Sequence, residues 1–183
     1  MRKLFPSIAI AVLFCSCQGT GTGLITDSTA TSSSNTYTTP DAQAIKKAVD
    51  DAYASISFKK GEQPQYDSIK NCFMPKAQFI SLRGDSIRTI NLDQFVYLYR
   101  TFIESDSVTM LHEKEIYGKT EQFGRIASRI STYKTYRNTM DKPEERGVNS
   151  FQLVKTPQGW KISSIIWDVE RKGQKIPAYY LPK

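Results

Sequence analysis

The chain changes its hydrophobic rhythm twice. Ile45, Ala48, Val49, Ala52, Tyr53 and Ile56 recur at helical spacing. Thr39-Pro40-Asp41 ahead of them offers a capping hydroxyl, a first-turn proline and an acid near the positive end of the helix dipole. That helix is expected to end before Gly61. Residues 65–73 read as a shorter helix with Tyr66, Ile69 and Phe73 on one side, stopped by Pro75. The period then drops to two. Residues 77–83 read as a strand, Gly84-Asp85 as a turn and residues 86–90 as a short return. Asn91 opens a third helix with Gln94 placed to reach back, and Leu92, Phe95, Val96, Tyr99, Phe102 and Ile103 give it a wide apolar face. From Val108 the period is two again, predicting four antiparallel strands over residues 108–117, 123–137, 147–155 and 160–169.

The connections set the expected pairing. Gly118-Lys-Thr-Glu-Gln122 reads as the link between the first two long strands, which places Glu113 near Ala127 and Glu115 near Arg125. Residues 138–146 read as a longer loop. Thr156-Pro-Gln-Gly159 is a tight turn of either two residues or three with a glycine bulge, and the choice shifts the partner of Phe151 by one. Both strand faces carry apolar residues. Ile126 and Ile130 lie on one side of the second long strand, Ala127 and Tyr133 on the other; Ile162 and Ile166 stand opposite Ile165 and Trp167. One face therefore suits the helices. The other suits a second subunit, making a homodimer, or the chain's own tail over residues 176–182.

The first 40 residues follow neither period. Met1-Arg-Lys is a positive start, and residues 4–14 are an apolar run too short for a lasting membrane span. The run ends in Leu13-Phe-Cys-Ser-Cys17, which resembles a bacterial lipoprotein signal. The resemblance implies a signal peptide over residues 1–16, a lipid on Cys17 and an address in the cell envelope, on the periplasmic side or at the surface. Ordinary secretory cleavage near Cys17 is the alternative. Residues 18–39 are rich in Gly, Ser and Thr, with Asp27 as their only charge. Such a coil has an r.m.s. reach of roughly 25 Å. Residues 17–40 are thus an expected anchor and tether, and residues 41–183 the folded domain.

Charge and chemistry narrow the picture little. The chain of 183 residues carries 25 basic and 18 acidic side chains, +7 in all. Without Arg2 and Lys3 the balance is +5, scattered, with no run of four basic residues, so nucleic acid is not an expected partner. Loss of Cys15 and acylation of Cys17 would leave Cys72 as the one thiol, at a helical core position. His112 is the single histidine, no His/Cys spacing suits a metal, and the glycines of Gly19-Thr-Gly-Thr-Gly23 lie in the tether, away from any strand-to-helix turn. No cofactor is expected.

The late strands carry the resemblance that names a family. Leu111-His-Glu-Lys-Glu115, Phe123-Gly-Arg-Ile-Ala127, Ser131-Thr-Tyr133, Arg146-Gly-Val-Asn-Ser-Phe-Gln-Leu153 and Gly159-Trp-Lys-Ile162 with Trp167, in this element order, resemble the nuclear transport factor 2-like superfamily. They look like its SnoaL-like or uncharacterised branch. The resemblance implies an α+β, cone-shaped, cystatin-like fold: a strongly bent antiparallel sheet packed on three helices from the first half of the domain. It implies a conical pocket with Glu113, Glu115, Tyr133, Arg146, Asn149, Gln152 and Trp167 as ligand-binding candidates. A small apolar or amphipathic molecule, or a docking partner in the envelope, is the expected occupant of a non-catalytic module. The alternative is a cofactor-free isomerase, cyclase or dehydratase, for which His112, Glu115, Tyr133 and Asp168 are the catalytic candidates. One fold hosts many activities, so neither function follows from it.

Overall fold

The computed structural model describes residues 39–82 and 86–183. Cys17, the expected signal and most of the tether lie outside the described residues, as do Gly84 and Asp85. Helices α1 (Ala42–Ser55) and α2 (Tyr66–Lys70) come first. Strands β1 (Phe73–Ser81) and β2 (Arg88–Asn91) follow, then α3 (Leu92–Ser105). The long strands are β3 (Leu111–Phe123), β4 (Ile126–Arg137), β5 (Glu145–Thr156) and β6 (Gly159–Val169), and a 3₁₀ turn covers Ala178–Tyr180. They make one six-stranded sheet in the order β2-β1-β6-β5-β4-β3, antiparallel except where β1 runs alongside β6. This is the expected α+β architecture of a bent sheet and three helices.

The sheet bends because its strands are interrupted. Register shifts fall between Glu115 and Tyr117 in β3, between Gln152 and Leu153 on β5, and between Phe73 and Gln78 in β1. Each extra residue increases local twist and bends the strand. Ile45, Val49, Ala52 and Tyr53 of α1 pack into the sheet, as do Val96, Tyr99 and Ile103 of α3, against Phe79, Tyr133, Phe151, Leu153 and Ile162. The N-terminus of α3 is held by a capping box. Asn91 Oδ1 accepts from the Gln94 N–H at 2.9 Å, and Gln94 Oε1 accepts from the Asn91 N–H at 2.9 Å. Such a cap contributes about 1 kcal/mol.

Several local expectations are corrected. Residues 118–122 do not link β3 to β4; they are part of β3, and Gly124-Arg125 makes the turn between the paired residues Phe123 and Ile126. Glu113 consequently faces Thr135, and Glu115 faces Tyr133, far from Ala127 and Arg125. The polar run Lys119-Thr-Glu-Gln122 stays in the strand because it has partners there. Arg129 reaches Thr120, and Gln122 donates to Asp41 at 2.9 Å. Gly118 is in a strand for a steric reason: a Cβ there would lie 2.6 Å from Glu115 Oε1 and 2.5 Å from Arg129 Cζ.

The expected second helix shrinks to Tyr66–Lys70. Phe73 already belongs to β1, and Pro75 sits in its irregular stretch, where a missing N–H costs the ladder least. α1 stops at Ser55, with Ile56 as its C-cap. Its N-cap is Asp41, without a side-chain cap; the Thr39 hydroxyl donates instead to the Thr120 carbonyl at 3.3 Å. β3 begins at Leu111, three residues later than expected. The β5–β6 turn is the two-residue form, with Thr156 paired to Gly159 at φ +102° and Phe151 to Ile165. The shift after Gln152 puts Ile162 and Ile165 on the same inner side, not on opposite ones.

The outer face meets the tail over part of its area. Thr132 is fully buried and donates to the Tyr180 carbonyl at 2.7 Å, and the rings of Tyr117 and Tyr180 stand 6.3 Å apart. Ile126 and Ile166 on that face remain exposed.

Candidate functional site

The inner face of the sheet and helices α1 and α3 enclose a cavity of about 500 Å³. Nearly half of its lining residues are aromatic. The wall from α3 is a stack: Phe95 lies parallel to Phe79 at 4.3 Å and beside Tyr99 at 6.4 Å. Phe151 and Trp167 face it from β5 and β6. Helical spacing puts Phe95, Tyr99 and Phe102 on one stripe of α3, and the inward alternation of β5 and β6 supplies the opposite wall.

Three strands carry a polar row across this apolar space. Glu113 on β3 faces Thr135 on β4, which faces Glu145 on β5. The Thr135 hydroxyl donates to Glu113 Oε2 at 2.7 Å. The Tyr133 hydroxyl donates to Glu145 Oε1 at 2.9 Å. It passes over Gly147, its cross-strand partner, where a Cβ would come within 2.5 Å of that hydroxyl. Gly147 is thus the residue that lets Tyr133 lie flat and reach Glu145.

Tyr53 from α1 ties the helix to the sheet near this row. Its hydroxyl lies 2.7 Å from Ser131 Oγ and accepts from Asn149 Nδ2 at 2.8 Å. Its ring meets Phe151 edge-on at 5.9 Å. Burial drives the Tyr53 phenol far above its ordinary range, and the nearby Glu113 adds to this. Burial raises Tyr99 as well, whose hydroxyl donates to the Ile56 carbonyl at 2.7 Å. Both phenols stay protonated at any ordinary pH and act as neutral hydrogen-bonding groups.

Arg137 spans the mouth. It bonds Asp106 after α3 at 3.3 Å and Glu144 before β5, and its guanidinium lies 5.6 Å from the centre of the Phe102 ring. Among the ionisable groups around the cavity, Asp106, Glu113, Glu144 and Glu145 therefore outnumber Arg137.

Of the residues singled out from sequence, Glu113, Tyr133, Asn149 and Trp167 line the cavity. Glu115 does not: it lies further along the inner face in a buried pair with Arg129. Arg146 pairs with Glu170 at 2.6 Å, and Gln152 is exposed beside Phe123 and Ile126. Asp168 is held by Arg171 at 2.6 Å and Gln174 at 2.6 Å. His112 sits beside Tyr136, half-buried, with its imidazole pKa lowered first by burial and then by Lys114. None of these four lines the cavity.

Sequence alone does not point to Glu145, Glu144 or Arg137, which also line the cavity. Glu144 and Glu145 lie in a charged stretch that reads as loop, and only the β4–β5 register brings Glu145 to Thr135. Tyr53 reads as helix-to-sheet packing, which it is, but its hydroxyl is also part of the polar network. Among the described residues no group of three His, Cys, Asp or Glu side chains is placed to hold a metal ion.

No protein-family model matches the chain, and no curated protein does. Solved structures do. A Nostoc punctiforme protein of unknown function with a cystatin-like fold superposes with a TM-score of 0.58 at 11% identity, covering 73% of this chain and 93% of that one. A Mycobacterium tuberculosis protein of unknown function gives 0.57 at 13% identity, with 75% and 82% covered. A Streptomyces avermitilis protein, provisionally described as a dehydratase of the NTF2-like family, gives 0.56 at 13% identity, with 73% and 99% covered. At these identities the likeness is one of architecture, and in architecture this chain has the cystatin-like, NTF2-like fold.

Proposed function

We propose that this chain is a small-molecule-binding module held at a bacterial cell envelope by a lipid on Cys17. One observation carries the binding half: an aromatic-walled cavity of about 500 Å³ with Glu113, Thr135 and Glu145 in a row on one wall. An apolar cavity with a few convergent polar groups suits a small ligand. Carboxylate oxygens accept hydrogen bonds, so this reading takes a ligand whose polar end carries N–H or O–H donors. Its body is apolar and lies between the α3 stack and Phe151 with Trp167. The anchor half is supported by the apolar run ending at Cys17 and the Gly-, Ser- and Thr-rich sequence after it, whose only charge is Asp27.

The test is mass spectrometry of small molecules released from the full chain purified from its producing cells. An amphipathic donor-bearing molecule is expected with the native protein. It should fall at least tenfold in a folded Glu113→Gln, Glu145→Gln double variant. A native protein that releases nothing above a blank ends the binding reading. Cys17→Ala should abolish membrane fractionation and the added lipid mass; unchanged behaviour of that variant ends the anchor reading.

The same carboxylates favour a second reading, proton transfer beside a carbonyl. There Glu113 takes the proton, and the Tyr133 hydroxyl turns from Glu145 Oε1 to donate to the developing oxyanion. Turnover of the released molecule, lost in Glu113→Gln while binding persists, would select it.

A further inference from the structure

We propose that the β3–β4 turn is a lipid-contacting tip on which the domain rests against the membrane that holds it. The proposal builds on the anchor reading above. Phe123 and Ile126 oppose each other across Gly124-Arg125, and they are 83% and 60% exposed. The turn that presents them is firmly held. Gly124 takes φ +54°, a conformation that favours glycine. The Arg125 guanidinium donates twice to the Lys155 carbonyl, at 3.0 and 2.9 Å, and the Lys155 N–H donates to the Arg125 carbonyl at 2.9 Å. A fixed turn with two large apolar side chains in water calls for an occupant.

The point of chain entry indicates which. The Thr39 hydroxyl bonds β3 at Thr120, and the Asp41 N–H donates to Gln122 Oε1 at 3.0 Å. The Gln122 amide donates to Asp41 and to the Gly124 carbonyl, at 2.9 and 3.0 Å, and Lys155 lies 2.8 Å from Asp41. Residues 39–41 are therefore pinned beside the turn, and the preceding chain reaches the domain at this end. A lipid on Cys17 and a coil with a reach of roughly 25 Å keep the turn near the bilayer. Such tethering gives an effective concentration on the order of millimolar, so two side chains suffice where a free domain would not stay. Lys119 pairs with Glu121 at 3.0 Å and Lys155 with Asp41 at 2.8 Å, so Arg125 is the net positive charge at the turn, a small attraction to phosphate-bearing headgroups beside the apolar pair. Arg137, at the cavity mouth, closes the opposite end of β4, roughly 35 Å along an extended strand. The cavity then opens toward the aqueous side.

The test places a reporter at the tip of the full, anchored chain. Phe123→Trp protein is reconstituted into vesicles of phosphatidylglycerol and phosphatidylethanolamine with brominated acyl chains. The F123W emission, over that of Trp160 and Trp167, is expected to shift blue and to be quenched at least twofold, and Ile126→Asp should relieve the quenching. Unquenched emission from vesicle-bound, acylated protein overturns the tip while leaving the anchor standing. A blue shift without quenching, with copies cross-linking through the turn, assigns the surface to a second copy and also overturns it. A chain whose N-terminal peptide lacks the lipid mass and that stays off the vesicles overturns anchor and tip together.

Discussion

Glu113 and Glu115 stand two residues apart on β3, on the same face, and are treated in opposite ways. Glu115 meets Arg129 in a pair whose two side chains are each only 7% accessible, with Nε–Oε2 at 2.8 Å and a second, shorter contact beside it. Thr120 accepts a further Arg129 N–H, and Gly118 gives up a side chain to make the space. Glu113 meets Thr135 at the wall of a cavity instead. One end of the inner face is filled with matched charge and is scaffold. The other is hollow: Thr135 and Tyr133 donate hydroxyls to Glu113 and Glu145, Arg137 holds Asp106 and Glu144, and a ligand has room. The contrast shows that an inward acid is no sign of a site by itself; what stands opposite it decides.

The comparison can be broken at the filled end first. Arg129→Met leaves Glu115 buried without its cation and should cost about 3–5 kcal/mol in denaturant unfolding. Adding Glu115→Leu should recover most of that loss. If the single variant is as stable as the native chain, the pair is not scaffold. Next in size is Gly147→Ala, whose new Cβ would meet the Tyr133 hydroxyl at 2.5 Å and the Asp168 carbonyl at 2.6 Å. Overpacking of this kind costs about 1–3 kcal/mol. It should also part Tyr133 from Glu145, seen as weaker binding of whatever the cavity holds.

At the hollow end, Glu113→Gln should change stability by less than about 1 kcal/mol, since a neutral acceptor still serves Thr135. Its effect should appear in ligand retention. A smaller effect is expected with pH. Burial pushes the carboxyls of Asp168 and Glu170 up, but Arg171 with Gln174, and Arg146, more than offset it, so both end below their ordinary values of 3.8 and 4.5. Depressed carboxyls contribute stability above those ordinary values and lose it as pH falls through the folded ones. Amide exchange over residues 170–181 should therefore be flat from pH 5 to 8 once corrected for intrinsic rates, and faster in acid below about pH 4. Smallest of all, His112→Ala should stay within about 0.5 kcal/mol and leave binding unchanged, because the imidazole lines no part of the cavity. Lost turnover in that variant would restore it as a base.

Local signals in the chain were legible where a few neighbouring residues settle the outcome. Asn91 and Gln94 form the capping box that their spacing predicts, and Ala127 and Tyr133 turn inward while Ile126 faces out. The β3–β4 turn was hidden because Gly118 and a polar run imitate a loop. Their reason to be in a strand is Arg129, and that is visible only once the strands are paired. The same holds for Glu145, which joins the site only through its place opposite Thr135 in the β4–β5 pairing. Tether and anchor rest on composition and motif alone.

The position of β6 has a consequence for how this chain acquires its structure. The last strand made lies between β1 and β5, so the first strand has no partner from the second half until residue 159 and beyond are available. Closing so long a loop before any contact rewards it slows folding. A chain still emerging from the ribosome therefore cannot complete the six-stranded sheet before β6 has been made, however early its helices and first strands are available.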